Sequence, residues 1–70
     1  MKTQELESNA RSVLSLCPVL ELRQLKVERE ENALCLLGSL STWYHKQLAQ
    51  ETLRRVCGDQ VRIKNLTQVI

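Results

Sequence analysis

The chain has 70 residues, enough for one domain, and a single core of this size leaves only a few kcal/mol of net stability. With 43% apolar and 26% charged residues, the composition is typical of a globular domain rather than a disordered chain. A net charge of +2 is too small to indicate a nucleic-acid or anionic-membrane partner by itself.

The first predicted element is a helix over residues 4–17. Apolar residues recur there at the spacing that forms one stripe on a helix: Leu6, Ala10, Val13, Leu14 and Cys17. Pro18 cannot donate a backbone hydrogen bond and restricts the residue before it. We therefore expect the helix to end there and residues 18–21 to turn toward the next element.

A β-hairpin is predicted next, with strands over residues 23–29 and 33–40. In the first strand Leu25 and Val27 alternate with charged residues, which is the period of a half-buried strand. The second strand is rich in Leu. Glu31 and Asn32 interrupt the apolar pattern, so we expect the hairpin loop to be centred on them.

A second helix is predicted over residues 42–57, with Ser41 or Thr42 as its N-cap. Its core stripe, placed by turning 100° per residue, consists of His45, Leu48, Ala49, Thr52, Leu53 and Val56. Gly58 is predicted to end the helix in the αL conformation.

The last element is a strand over residues 61–69, with a bulge expected near Asn65. The element order is therefore α-β-β-α-β. Because each helix has only one apolar stripe, both helices should cover the same face of a three-stranded sheet. The fold class is α+β, a two-layer sandwich, and the pattern leaves open whether the third strand lies beside the first or the second.

These elements resemble the BON domain, named for bacterial osmotically inducible and nodulation proteins. The resemblance rests on LKV at residues 25–27, ENALCLLGSL at 31–40, the helix that follows, and VRIKNLT at 61–67. Gly38 takes the place of the family's glycine, Leu34, Leu36 and Leu40 its alternating apolar positions, and Asn65 and Leu66 the end of its last strand. The resemblance covers roughly residues 18–69 and implies a non-catalytic module that binds membrane surfaces, phospholipid or partner proteins.

Gly38 lies where a strand leads toward a helix, a position that can also mark a reactive turn. The nucleophile motif G-x-S-x-G needs a second glycine after Ser39-Leu40-Ser41, and a phosphate-binding loop needs Gly-Lys-Ser/Thr; both are missing. We interpret Gly38, like Gly58, as a structural turn. His45, the only histidine, is interpreted as a half-polar core residue, and the sequence predicts no enzyme activity, metal or cofactor.

Trp43 is the first candidate binding residue because the helical wheel places it opposite the buried stripe. Its predicted neighbours are Gln47, Gln50 and Arg54, with Lys46 nearby. Exposed Trp is enriched in binding hot spots and at membrane interfaces. The alternative is that the indole folds back over the start of the helix.

The sheet face without helices is the second candidate. Alternation places Lys26, Glu28, Cys35, Leu37, Arg62 and Lys64 there. Cys35 and Leu37 would be in contact with water, either as a tolerated strip or as an interface with a second copy or a partner domain. Four basic residues could support weak attachment to an anionic bilayer if they shared a face, and otherwise form the solvated rim of the fold: Arg54, Arg55, Arg62 and Lys64. The helical wheel separates Arg54 from Arg55 by about 100°, which argues against one dense patch.

The three cysteines, Cys17, Cys35 and Cys57, are odd in number and widely spaced. This suits neither a disulfide framework nor a metal site, and we interpret them as buried thiols in a reducing compartment. The sequence contains no apolar run of the about 18 residues that a spanning helix needs and no signal peptide. We expect a cytoplasmic protein, or a periplasmic or membrane-associated one if the chain is part of a longer protein.

Together these features predict a non-enzymatic interaction module that binds a protein partner or an anionic lipid surface through Trp43, Lys46 and the open sheet face with Leu37. The alternative is a small nucleic-acid-binding module resembling a KH domain, which has a similar element order. The missing Gly-x-x-Gly loop and the lack of aromatic residues on the strands make nucleic acid the less favoured partner.

Overall fold

The computed structural model describes residues 2–70. Its elements in chain order are α1 (Lys2–Ser15), α2 (Leu20–Arg23), β1 (Lys26–Glu30), β2 (Ala33–Leu37), β3 (Ser39–Leu40), α3 (Trp43–Cys57), β4 (Arg62–Asn65) and β5 (Gln68–Val69). The two long helices, the hairpin and the last strand region confirm the α+β prediction. The additional elements are the single-turn helix α2 and the short strands β3 and β5.

The main sheet has the strand order β1-β2-β4. β1 and β2 form the predicted antiparallel hairpin, closed by the pair Glu30 and Ala33 with Glu31 and Asn32 in the turn. β4 lies beside β2 and runs parallel to it. A parallel neighbour requires a crossover connection, and α3 supplies it. The neighbour of the last strand, which the sequence pattern left open, is therefore β2.

The core lies between this sheet and one layer of helices. α1 packs against α3, α1 covers β1, and α3 covers β4. The cluster combines helix residues with strand residues of the same sheet face: Leu6, Ala10, Leu14, Ala49, Leu53 and Cys57 with Val27, Leu34 and Leu36. Both helices thus cover one face, as their single stripes predict.

The predicted first strand begins too early. β1 starts at Lys26, and residues 20–23 form α2 instead of a turn followed by strand. Leu22 and Leu25 are three residues apart and both buried. One helical turn brings residues at this spacing to the same side, whereas a strand would direct them to opposite faces of the sheet.

The predicted strands over residues 33–40 and 61–69 are each divided in two. β2 ends at Leu37, and Gly38, with φ of +140°, separates it from β3. β4 ends at Asn65, near the predicted bulge, and β5 begins at Gln68. The two short pieces pair in parallel with each other as a separate ladder. Gly38 is therefore a structural bend between two ladders.

Gly58 ends α3 but does not adopt the predicted αL conformation. Its φ is +60° and its ψ is −135°. The amide N–H of Gln60 donates to the carbonyl oxygen of Cys57 at 3.2 Å, so residues 57–60 form a β-turn with Gly58 at its first central position. Positive φ at that position is the mark of a type II′ turn, which favours glycine.

The open sheet face exposes less apolar surface to water than the alternation predicts. Cys35 is only 3% exposed, and Leu37 is half-buried. The ion pair between Lys64 Nζ and Glu30 Oε1, at 2.8 Å, joins the two strands that flank β2. Their long side chains cover the short Cys35, so the predicted exposure of Cys35 is wrong.

We expect the three thiols to differ in reactivity. Burial raises the pKa of Cys35 and of Cys57, and the neighbouring Glu30 carboxylate raises that of Cys35 further. The thiolate is the reactive form, so both should resist alkylation in the native state, whereas the half-buried Cys17 should react first. Peptide mapping by mass spectrometry after brief maleimide treatment measures this order. Labelling of Cys35 as fast as Cys17 would contradict it.

Candidate interaction surface

The start of α3 presents two aromatic side chains to solvent. Thr42 is the N-cap, and its Oγ1 accepts the backbone N–H of His45 at 3.0 Å. Trp43 and Tyr44 are thus the first two helical residues, and each is 71% exposed. The predicted exposure of Trp43 is confirmed. Tyr44 was missed, although Glu51 and Arg55 follow it on the same outward side of the helix.

Lys46 holds this aromatic corner in place. Its Nζ donates to the carbonyl oxygen of Thr67 at 2.7 Å and lies 5.2 Å from the centroid of the Trp43 ring. The second contact is a cation–π interaction, worth about 0.5–1 kcal/mol at an exposed site. Lys46 therefore links Trp43 to the segment between β4 and β5.

Glu21 fixes α2 against the same corner. One of its carboxylate oxygens accepts the backbone N–H of Ser41 at 3.1 Å and is 2.7 Å from Nδ1 of His45. His45 is half-buried with one nitrogen satisfied, as its place in the core stripe predicts. The Ser41 hydrogen bonds and the His45 contact hold the pKa of Glu21 below its usual 4.5.

This depressed pKa predicts an acid-dependent loss of stability. A carboxyl group whose pKa is lower in the folded state stabilises the fold above its unfolded pKa, and the stabilisation disappears as the pH falls through the folded value. We expect Glu21→Gln to have a flatter dependence of the urea midpoint on pH below about 4.5 than the unchanged protein. Parallel curves for the two proteins would contradict this role of Glu21.

The large exposed apolar side chains gather at one end of the fold. They are Leu16, Leu20, Trp43, Tyr44, Leu66 and Ile70, and we call this set the apolar end. Leu20 precedes Glu21, which contacts Ser41 and His45, and Leu16 precedes α2 by one short connection. On the other side, Ile70 N–H donates to the Leu40 carbonyl at 2.9 Å, and Leu66 adjoins Thr67.

The sheet register supports the same grouping. At this end β1 begins, while β2 and β4 finish, since Lys26 pairs with Leu37 and Leu36 with Asn65. At the opposite end, the hairpin turn lies beside the start of β4, where the Arg62 N–H donates to the Asn32 carbonyl at 3.2 Å. We call this opposite end the hairpin end; its exposed residues are polar or charged.

Positive charge accompanies the apolar end. Arg23 lies on α2, Lys26 begins β1, and Lys46 lies on the first turns of α3. Two acidic residues lie nearby: Glu21 is engaged by Ser41 and His45, and Glu51 lines the cleft with Trp43 and Lys46. The apolar end therefore combines aromatic, aliphatic and basic side chains.

The predicted binding residues fall into two groups. Trp43, Lys46 and Arg54 line one cleft of about 490 Å³ along α3, together with Gln47 and Gln50, as the helical wheel predicts. Leu37, Arg62 and Lys64 belong to the open sheet face, because alternation turns them away from the helix layer. The structure thus separates side chains that the sequence-based prediction assigned to one binding surface.

Neither long helix, with 14 and 15 residues, is long and apolar enough to cross a membrane, and α2 is a single turn. Within residues 2–70, no three His, Cys, Asp or Glu side chains are grouped closely enough to hold a metal ion. Comparisons with protein-family profiles, curated proteins and solved structures found no match to this chain.

Proposed function

We propose that this protein is a non-enzymatic, BON-like interaction module whose apolar end binds the surface of an anionic membrane. The observation that carries this proposal is the concentration of six large exposed apolar side chains at one end of a 70-residue fold, beside basic residues. Scattered apolar side chains are normal on a protein surface, whereas their concentration at one end of a small fold favours an interaction site. The resemblance to the BON domain supports the same class of function.

The residue types favour a membrane interface over a protein partner. Trp43 and Tyr44 each combine an apolar ring with a polar atom, and such side chains are enriched at the level of lipid headgroups. Leu16, Leu20 and Ile70 add aliphatic surface that can reach the acyl boundary. The protein would bind peripherally, with the apolar end at the bilayer and the hairpin end in water.

Electrostatic attraction adds to this burial. Each Lys or Arg near an anionic bilayer contributes about 1 kcal/mol, and Arg23, Lys26 and Lys46 lie at the apolar end. Arg62 lies at the hairpin end, and Lys64 is paired with Glu30. We therefore assign the basic contribution to Arg23, Lys26 and Lys46 rather than to Arg62 and Lys64.

Co-sedimentation with vesicles tests the proposal. The protein should sediment with vesicles that mix phosphatidylglycerol and phosphatidylcholine, bind pure phosphatidylcholine much more weakly, and lose affinity as salt is raised. Because Trp43 is the only Trp, its fluorescence should shift to the blue on binding. Equal, salt-independent sedimentation with both kinds of vesicle would contradict the electrostatic contribution assigned to the basic residues. No sedimentation with either would overturn the membrane proposal and favour a protein as the occupant of the apolar end.

A further inference from the structure

The two edges of the main sheet differ in how they are covered. At the β1 edge, the Arg11 guanidinium donates to the Val27 carbonyl at 2.8 Å, and α1 packs over the strand. At the other edge lies β4, whose only partner strand within residues 2–70 is β2. An uncovered edge can pair with another strand.

The parallel register shows which backbone groups β4 presents outward. Arg62 N–H donates to Asn32 and Leu66 N–H donates to Leu36, so alternate residues of this segment point their backbone groups at β2. The intervening residues, Ile63 and Asn65, point theirs away from the sheet. β4 thus offers two N–H and two C=O groups at the spacing that an added strand requires.

A cleft accompanies this edge on the side of α3. It has a volume of about 530 Å³ and is lined by Gln50 and Arg54 from the helix and by Val61, Arg62 and Ile63 from the strand region. Gln50 and Arg54 also line the cleft that leads to Trp43. An edge strand beside a helix is the arrangement in which extended peptides bind by strand addition.

The charges around this edge determine which strand fits. Arg62 and Lys64 project from the open face of β4, where Lys64 is paired with Glu30 across the sheet and Arg62 is exposed. On the helix side, Arg54 and Asp59 both line the cleft. If the β4 strands of two copies paired antiparallel, Arg62 and Lys64 would face the same residues of the other copy, and like charges opposite one another destabilise a strand pair. An acidic residue opposite Arg62 on an added strand would instead pair favourably with it.

From this geometry we propose that the outer edge of β4 binds an extended acidic segment of a partner protein as a fourth strand. The backbone groups of Ile63 and Asn65 form the ladder, Arg62 contacts an acidic side chain on the open face, and the cleft beside Arg54 receives side chains on the other face. This activity is distinct from membrane binding because Arg62, Ile63 and Asn65 are not among the residues assigned to the membrane contact.

Titration of the ¹⁵N-labelled protein with a capped nine-residue peptide, in which Glu alternates with Val or Thr, tests the proposal. The amide signals of Ile63 and Asn65 should shift most. Two further peptides carry backbone N-methyl groups at alternate residues, one at the odd-numbered positions and the other at the even-numbered positions. One of these two peptides should lose binding and the other should retain it, because only alternate backbone groups face β4. Equal binding of both, or of a peptide with Lys in place of Glu, would overturn the proposal.

Charge reversal gives a second readout. Arg62→Glu should weaken binding of the acidic peptide by about fivefold, given the size of cross-strand charge pairs. Arg29→Glu changes the net charge equally at an exposed position on β1, away from the β4 edge, and should leave affinity unchanged. Equal losses in the two variants would overturn the proposal, as would a dimer in sedimentation without peptide that pairs through β4. Vesicle binding by Arg62→Glu should be unchanged, which keeps this test distinct from the membrane test.

Discussion

Trp43→Ala should weaken binding to anionic vesicles about tenfold, the largest loss that we expect from a single exposed side chain. Burying a large apolar side chain contributes about 1.5–3 kcal/mol, and an interfacial indole is only partly removed from water. A loss of about 1.4 kcal/mol corresponds to a factor of ten. Because the Trp43 side chain is 71% exposed in the free protein, little of its surface supports the fold, and thermal stability should change little.

Gln60→Ala is the matched control for this variant. Gln60 is exposed in the turn after α3 at the hairpin end, and its side chain has no part in the turn hydrogen bond. Co-sedimentation with phosphatidylglycerol-containing vesicles should not distinguish it from the unchanged protein. If Trp43→Ala bound as tightly as Gln60→Ala, the apolar end would not be the membrane contact.

Gly38→Ala should lower the free energy of unfolding by about 2–4 kcal/mol, a large part of the stability of so small a domain. Two effects combine. The φ of +140° is one that L-residues rarely adopt, and a Cβ at this position would lie 2.7 Å from Cδ2 of the buried Leu25. Urea unfolding followed by circular dichroism measures the change.

Gly58→Ala separates the two effects. Gly58 also has positive φ, but nothing lies within 4 Å of an added Cβ, so this variant carries the backbone strain alone. It should lose less stability than Gly38→Ala. Leu25→Ala provides a further check, because the clash is absent when Leu25 is truncated, and the double variant should lose less than the sum of the two single losses. Strict additivity would show that the Leu25 contact plays no part.

The proposed binding surface was only partly predictable from the sequence. A helical wheel is sufficient to place Trp43 outward with Gln47, Gln50 and Arg54 along one side, because these positions depend on a single helix. Tyr44 could have been found in the same way. By contrast, the position of Leu20 at the same end as Trp43 depends on Glu21 contacting the start of α3, 20 and 24 residues further along the chain.

The open sheet face shows the same division. Alternation correctly assigned Cys35, Lys64 and Arg62 to it, since side-chain direction in a strand is a local property. The burial of Cys35 could not be predicted in that way. It follows from an ion pair between β1 and β4, and that pair exists only because the parallel crossover places β4 beside β2.

Local patterns in the chain were sufficient for the order of the two long helices, the hairpin and β4, for the hairpin turn at Glu31 and Asn32, and for a turn at each glycine. Each depends on periodicity or backbone freedom within a few residues. The same patterns narrowed the cap of α3 to Ser41 or Thr42 and did not give α2, β3, β5 or the conformation of Gly58. Three further features follow only from the tertiary structure: the partner of β4, the division of the strands into two ladders, and the apolar end. These features depend on contacts between residues far apart in the chain, and local patterns carry no information about which segments meet.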